Sequence, residues 1–343
     1  MLVAIHKRLG SFSDRWVRYC ENNKIEYILV DCYSSDIIEQ LTGAKILLWH
    51  WDQEDYKAVL FAKQLIYALE KTNITVFPSI DTSWHFDDKI GQKYLFETLK
   101  IPSVPSYVFF EKSKALEWAA TTSYPKVFKL RGGAGAINVK LVRTKSKAKK
   151  LIKKSFGSGF GVSGRRALFY NRIWHFRKEK NLKTLLGIFK GIARLFLKSR
   201  LEKVSGKEKG YSYFQDFIPN NKSDIRIIVI GNRSFAIERF VRKGDFRASG
   251  SGLIRYLDNQ TINFEALKIA FESTKKIGSQ CIAFDFVIDE KKKPVIVEIS
   301  YSFSIAAYDP CPGFWNSSLE WTKGSFVPQE FMLEDVIKEH QQA

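Results

Sequence analysis

Hydrophobic residues fall in short runs through the first quarter of the chain, separated by amphipathic stretches. Leu2–Ile5, Ile25–Val30, Ile46–Trp49 and Ile74–Phe77 read as buried strands. Ser13–Cys20, Asp36–Leu41 and Asp55–Leu69 read as helices between them. This alternation predicts a parallel sheet with helices on its faces over residues 1–86. Ligands of such sheets lie beyond the carboxyl ends of the strands, where Trp49–His50–Trp51 follows the third strand. A substrate contact could sit there, although aromatic packing over the sheet edge is the plainer reading.

The next pattern is a helix over Asp87–Lys100, opened by two acids that suit its positive N-terminus and stopped by Pro102 and Pro105. Val127–Leu130 is a strand, followed by a glycine-rich turn and a second strand, Ile137–Val142. Lys145–Lys154 is a basic helix. From Tyr211 onward strands dominate: Tyr213–Ile218, Ile225–Ile230, Ser234–Val241, Cys281–Ile288 and Pro294–Ile299, with a helix over Phe264–Ile277. Pro328–Ala343 reads as a surface helix. The expected parts are 1–86, 87–212 and 213–343, with an insertion at 160–210. No internal repeat is visible.

At 343 residues, 45% hydrophobic and 27% charged, the chain is globular, which excludes a tail or a low-complexity protein. It is long enough to hold a core without disulfides or structural metals. Cys20, Cys32, Cys281 and Cys311 stand far apart, the usage of a reduced compartment. The first apolar run is too short for a signal-peptide core. No stretch approaches the roughly 18 apolar residues of a spanning helix. The expectation is a cytoplasmic protein that crosses no membrane.

Charge changes that picture. Lys and Arg number 55 against 36 Asp and Glu, a net charge of +19, which predicts attraction to polyanions. More than half of the surplus lies in residues 165–209, with 14 Lys/Arg against three Glu. There Leu182, Leu185, Leu186, Phe189, Ile192, Ala193 and Phe196 follow helical spacing, and Lys183, Lys190, Arg194, Lys198 and Arg200 occupy the rest. Three readings stay open. The helix packs its apolar face on the middle part of the chain, or it lies peripherally on an anionic membrane surface. Nucleic acid, the third, is the weaker fit.

Candidate chemistry sits in three places. In Lys129-Leu130-Arg131-Gly132-Gly133-Ala134-Gly135-Ala136 a strand presents a lysine, and tiny residues then turn the chain. Small side chains let backbone N–H groups approach phosphate oxygens, although a strand rather than a helix follows, so this is no Walker loop. Asp224-Ile225-Arg226 and Asp245-Phe246-Arg247-Ala248-Ser249-Gly250 form the second group. Third, Asp285 in IAFDFVI and Glu298 in PVIVEIS stand at the ends of successive apolar strands. A carboxylate inside an apolar strand must be paired, hydrogen-bonded or on a metal. Two of them beside basic residues suit Mg²⁺ bridging phosphates, and each alone suits a buried ion pair equally well.

In this order the pieces resemble the ATP-grasp superfamily of carboxylate–amine ligases, most closely the ribosomal-protein glutamate ligase and glutathione synthetase branch. The resemblance covers about Asp87–Ser300, and its most specific stretch is YFQDFIPNNKSDIRIIVIGNRSFAIERFVRKGDFRAS. It implies an ATP-grasp fold of mixed α/β and α+β class. The parts would be an N-terminal parallel α/β domain, a glycine-loop lid domain and a C-terminal metal-binding sheet domain. It implies ATP and Mg as cofactors. Lys89 and Lys129 would hold phosphates, with Gly132, Gly133 and Gly135 as the lid loop over them. Asp216 and Phe217 would contact adenine and Asp224 the ribose. Arg247 would face the γ-phosphate, with Arg226 and Ser249 as further catalytic groups. Asp285 and Glu298 would hold the metal, with Ser300 beside them.

Two departures stand out. The family's Glu-x-Asn is here Glu298-Ile299-Ser300, and its Arg-Ser-Asn is Arg247-Ala248-Ser249. The implied reaction makes an acyl-phosphate from a substrate carboxylate, which an amine then attacks. The acceptor amine would lie near Asp245, Tyr301 or Tyr308–Trp315. SWHFDDKIGQKYL, VFKLRGGAGAINVKLV and VEISYSFS further resemble ATP-grasp proteins encoded among bacterial surface-polysaccharide genes, which implies a uronic-acid carboxylate as substrate. The alternative is an ATP-binding protein of the same fold that modifies proteins or associates with RNA or the ribosome.

Overall fold

The computed structural model describes residues 1–133, 138–161, 173, 186–188, 192, 200–242 and 244–342. They form two compact units. The first comprises Met1–Phe86, Tyr94–Ser103 and Ile218–Ala343, and the second Asp87–Lys93 and Val104–Phe217.

In the first unit the expected parallel sheet is present, with strands in the order Tyr27–Val30, Leu2–His6, Ala44–Leu48 and Thr75–Phe77. Alternate residues serve two cores. Val3, Ile5, Ile46, Leu48 and Phe77 face one side. Ala4, Leu47 and Val76 face the other, together with Ala58, Ala62, Ile66 and Leu69 of the helix Tyr56–Leu69. Burial on both faces is why these strands read as near-continuous apolar runs.

A seven-stranded sheet forms the rest of this unit. Its order is Pro294–Ser300, Cys281–Ile288, Ser223–Ile230, Arg233–Phe240, Gly313–Asn316 and Trp321–Lys323, with Ile254–Tyr256 added beside Arg233–Phe240. Each pairing is antiparallel. On one face Ile228, Ile230, Phe235, Ile237, Cys281 and Ala283 join the core of Val3, Ile5 and Phe77. Met332, Leu333 and Val336 of the helix Pro328–Gln342 complete it. The segments 1–86 and 218–343 therefore share one hydrophobic core. On the other face Ile227, Val229, Phe284 and Phe286 lie under Ala266, Leu267, Ala270 and Ile277. Those four belong to the helix Phe264–Ile277, which begins at Asn263, whose side chain accepts from Ala266 N at 3.0 Å, and ends at Gly278 with φ +75°.

The two-residue turn Gly231–Asn232 sets the register of its hairpin, with Ile230 opposite Arg233. Glycine is required there: φ is +52°, and a Cβ would run into the Asp335 carboxylate that pairs with Arg233.

The second unit holds an antiparallel sheet in the order Ser106–Phe109, Ser212–Asp216, Lys126–Lys129 and Lys140–Val142. Helices Lys112–Thr121 and Lys145–Ser155 cover one face, packing Ala115, Ala119, Ala148 and Ile152 on Phe128 and Phe214. The strand Ser106–Phe109 and the helix Lys112–Thr121 have no counterpart among the expected elements. The helix buries only Ala115 and Ala119, too little for an apolar stripe to show. Gly135 lies outside the described residues, as does most of the insertion, Phe189 and Phe196 included. Phe160–Gly161 pairs with Lys207–Glu208 across the insertion's ends. Among the described residues no helix is long and apolar enough to cross a membrane.

Candidate functional site

Pleating places Asp224, Arg226, Ile228 and Ile230 on one face of their strand, the face that enters the shared core. Pairing carries that face across the sheet. Asp224 stands opposite Arg239, Arg226 opposite Asp285, and Asp285 opposite Glu298. Toward Ile230 the face is apolar, and toward Ser223 it turns polar. Ser300 follows on the face of Glu298, opposite Ala283, and its hydroxyl donates to Ser302 O at 2.8 Å.

Arg239 is the hub of this cluster. It is 8% exposed. Its Nε and Nη2 donate to the two Asp224 oxygens at 2.7 Å each, and Nη2 also lies 2.9 Å from Asp285 Oδ2. Arg226 Nη1 lies 3.3 Å from Asp285 Oδ1. Burial and the nearby Asp285 charge push the Asp224 carboxyl up to about 6, against the pull of Arg239. Burial opposes the charge on Arg239, but Asp285 and Asp224 outweigh it and hold the guanidinium more firmly protonated.

These residues fit a magnesium ion. Asp285 and Glu298 are hard oxygen donors side by side on adjacent strands. Ser300 spends its proton on Ser302 and keeps oxygen lone pairs. Mg²⁺ commonly takes one or two carboxylates and completes its octahedron with water and phosphate oxygens. Among the described residues no group of three or more His, Cys, Asp and Glu side chains forms a closed cage.

On the loop that follows, Arg247 is forked onto Asp245, with Nε 2.9 Å from Oδ1 and Nη2 2.8 Å from Oδ2. Burial opposes ionisation of Asp245, yet its bonds to Arg247 win and hold the carboxyl below its ordinary value. Ser249 lies half-buried two residues on.

In the second unit the structure brings Lys89 to the glycine loop. Lys89 is the first residue of its helix and 4% exposed, and its Nζ donates to Gly133 O at 3.1 Å. Asp87, at φ +52°, accepts the Gly133 N–H with both oxygens, at 2.8 and 2.9 Å. A Cβ on Gly132 would come within 3.1 Å of Asp87 Oδ2, so a larger residue there would push the Asp87 carboxylate back by a few tenths of an ångström. Lys129, 5% exposed, ends the strand that leads into this loop. Asp216 pairs with Lys126 at 2.5 Å, and Phe217 follows it. The Lys126 ammonium also lies 5.1 Å from the Tyr107 ring centroid.

Arg239, Asp87 and Lys126 were not among the expected site residues. Arg239 follows Glu238, so period two alone leaves open which of them points inward. The signal that finds it is the Gly231–Asn232 turn, which sets Arg239 against Asp224.

Solved structures place this architecture. D-cycloserine synthetase DcsG is 12% identical with TM-score 0.58, over 98% of this chain and 99% of that one. D-alanine–D-alanine ligase from Bacillus anthracis, complexed with ATP, is 11% identical with TM-score 0.56, over 99% and 98%. The ATP-grasp ligase PsnB, complexed with a minimal precursor, Mg and ADP, is 10% identical with TM-score 0.55, over 99% and 98%. The chain has the ATP-grasp fold. Within it, residues 187–309 match the family described as the RimK-like ATP-grasp domain. No curated protein matches the chain.

Proposed function

We propose that this chain is an ATP- and Mg²⁺-dependent ligase that activates a carboxylate as an acyl-phosphate and joins it to an amine or amino acid. The observation that carries this reading is the placement of Asp285 and Glu298 opposite each other beside Arg226 and Arg239, on the polar end of one sheet face. It supports the reading together with the match of residues 187–309 to a RimK-like ATP-grasp domain.

ATP would supply the phosphoryl group and the metal its neutralising charge. The chain's own groups position them. Asp285 and Glu298, with Ser300 beside them, hold the metal. Lys89, Lys129 and the N–H groups of Gly132, Gly133 and Gly135 hold phosphates, for which the Gly133 N–H must leave Asp87, and Asp216 and Phe217 border the adenine. For Asp224 to reach a ribose hydroxyl it must share Arg239, which both of its oxygens now hold. Arg247 must likewise leave Asp245 to face a phosphate, while Arg226 and Ser249 complete the anionic surroundings.

We read the acid as a uronic-acid sugar of surface-polysaccharide assembly, on the resemblance of VEISYSFS and its companion phrases. We place the insertion on an anionic membrane surface. The exposure of Leu186 (53%) and Ile192 (42%), two of its apolar residues, supports that placement. An ADP-release screen over uronates, nucleotide-uronates and amino acids, with Mg·ATP, tests the function. Substrate-dependent ADP release that Asp285→Asn abolishes supports it, and a chain that neither binds nor consumes ATP ends it.

A further inference from the structure

The glycine loop of the second unit is held at two points. Arg131 fixes its base: the Arg131 N–H donates to the Tyr211 hydroxyl at 2.6 Å, and the Arg131 carbonyl accepts from Lys89 N at 3.0 Å. The Tyr211 hydroxyl in turn donates to Glu208 at 2.7 Å. Two residues on, Gly133 is held by the turn that leads into the helix Lys89–Thr98. Its N–H lies 2.8 and 2.9 Å from the two Asp87 oxygens, and its carbonyl accepts from Lys89 Nζ at 3.1 Å. The Asp87 carboxylate therefore has a backbone N–H on one side and the buried Lys89 ammonium, 3.8 Å from Oδ1, on the other.

A phosphate oxygen needs the same surroundings: an N–H from a loop of small residues with a lysine beside it. Here an oxyanion already fills them, and it belongs to the chain. The contacts at Arg131 run through backbone atoms and Tyr211, and a phosphate need not disturb them. The contact at Gly133 differs, because a single N–H serves both Asp87 oxygens and a phosphate can take it only from them. The backbone aims Asp87 at this point. Its φ of +52° lies in the left-handed region, which Asp and Asn enter more readily than other side chains. The Asp87 side chain is 19% exposed, so a displaced carboxylate can turn to water.

We infer that Asp87 is a built-in competitor for the phosphate site, its carboxylate holding at Gly133 the place of a nucleotide phosphate oxygen and lowering the affinity for ATP. This rests on the ligase reading above and adds to it a residue that opposes nucleotide binding. One anion replaces another at the same N–H, so the loop is held both before and after the nucleotide arrives. The nucleotide gains only the difference between its own contact with Gly133 and the one Asp87 gives up.

Isothermal titration of Mg·AMPPNP into the full chain and into Asp87→Asn tests this. Asparagine keeps the left-handed turn and one acceptor oxygen but not the charge. Asp87→Asn binds Mg·AMPPNP about tenfold more tightly, because the Gly133 N–H is released more easily from a neutral acceptor than from a charged one. A residue that only steadied the loop would give the reverse, so equal or weaker binding by Asp87→Asn overturns the inference. Asp87→Gly also suits the positive φ and leaves no side chain to compete, and it answers the question if Asp87→Asn does not fold. Hydrogen exchange at the Gly133 amide gives a second reading. Without nucleotide the amide exchanges faster in Asp87→Gly than in the wild type, and Mg·AMPPNP slows it again. An amide that Mg·AMPPNP leaves unprotected in Asp87→Gly overturns the inference. A wild type that does not bind Mg·AMPPNP overturns the ligase reading and this inference with it.

Discussion

Replacing Arg239 with methionine removes the cation on which the sheet-face cluster turns, while keeping a side chain of similar reach. Three contacts go, two to Asp224 at 2.7 Å and one to Asp285 at 2.9 Å. Unit charges about 4 Å apart, at an effective dielectric near 20, attract by about 4 kcal/mol. Asp285 keeps Arg226, but Asp224 is left buried without its bidentate partner. Breaking a buried pair in this way costs about 3–5 kcal/mol. Urea unfolding at pH 7, followed by tryptophan fluorescence, reads the loss directly. Acidity should return part of it. Asp224 already titrates above an ordinary carboxylate, chiefly through burial, at about 6 in the folded chain and roughly 3.9 unfolded. Between those values the folded state binds the extra proton, so this group's contribution to stability falls as pH rises and levels off above the folded pKa. Without Arg239 the folded pKa climbs further, so the deficit of the variant grows as pH rises above about 6 and is smallest below it. Mg²⁺ should also narrow the deficit, because a metal on Asp285 and Glu298 supplies the missing positive charge. A loss below about 1 kcal/mol at pH 7, or one that acid does not reduce, refutes the reasoning.

Asp285→Asn and Glu298→Gln should each abolish ADP release with the circular dichroism spectrum unchanged, since amides of equal size coordinate Mg²⁺ poorly; near-wild-type turnover in either sinks the metal assignment. Lys129→Met should weaken ATP binding by calorimetry without altering the dependence on Mg²⁺, and an unchanged ATP affinity moves the phosphate site elsewhere. Replacing Phe189 and Phe196 together with Asp should release the protein from anionic liposomes in a cosedimentation assay and spare turnover of a soluble substrate. High salt should weaken the wild-type binding only partly, because apolar insertion is not screened; a double variant that unfolds shows the apolar face to be core.

How far each residue's placement could be read from the chain depends on where its partner lies. Asp285 and Glu298 are legible because an acid within IAFDFVI or PVIVEIS contradicts its own strand, and a local contradiction needs no partner to be noticed. The parallel sheet is legible for a related reason: strands buried on both faces read as unbroken apolar runs. Asp87 is not legible, because its reason is the Gly133 N–H, 46 residues away. Lys126 answers to Asp216, 90 residues on. The shared core of residues 1–86 and 218–343 is hidden in the same way, since the apolar face of Ile228, Phe235 and Ala283 states that it must be covered but not by what. Acids inside apolar strands can therefore be picked out from the sequence, while the groups that pair with Asp87 and Asp216 cannot. That division has a consequence for binding. Lys89 donates to Gly133, Arg247 is forked onto Asp245, and Asp224 is held by Arg239. A ligand that uses these charges must exchange one partner for another, so its affinity measures the difference between the two sets of contacts rather than the strength of the new set alone.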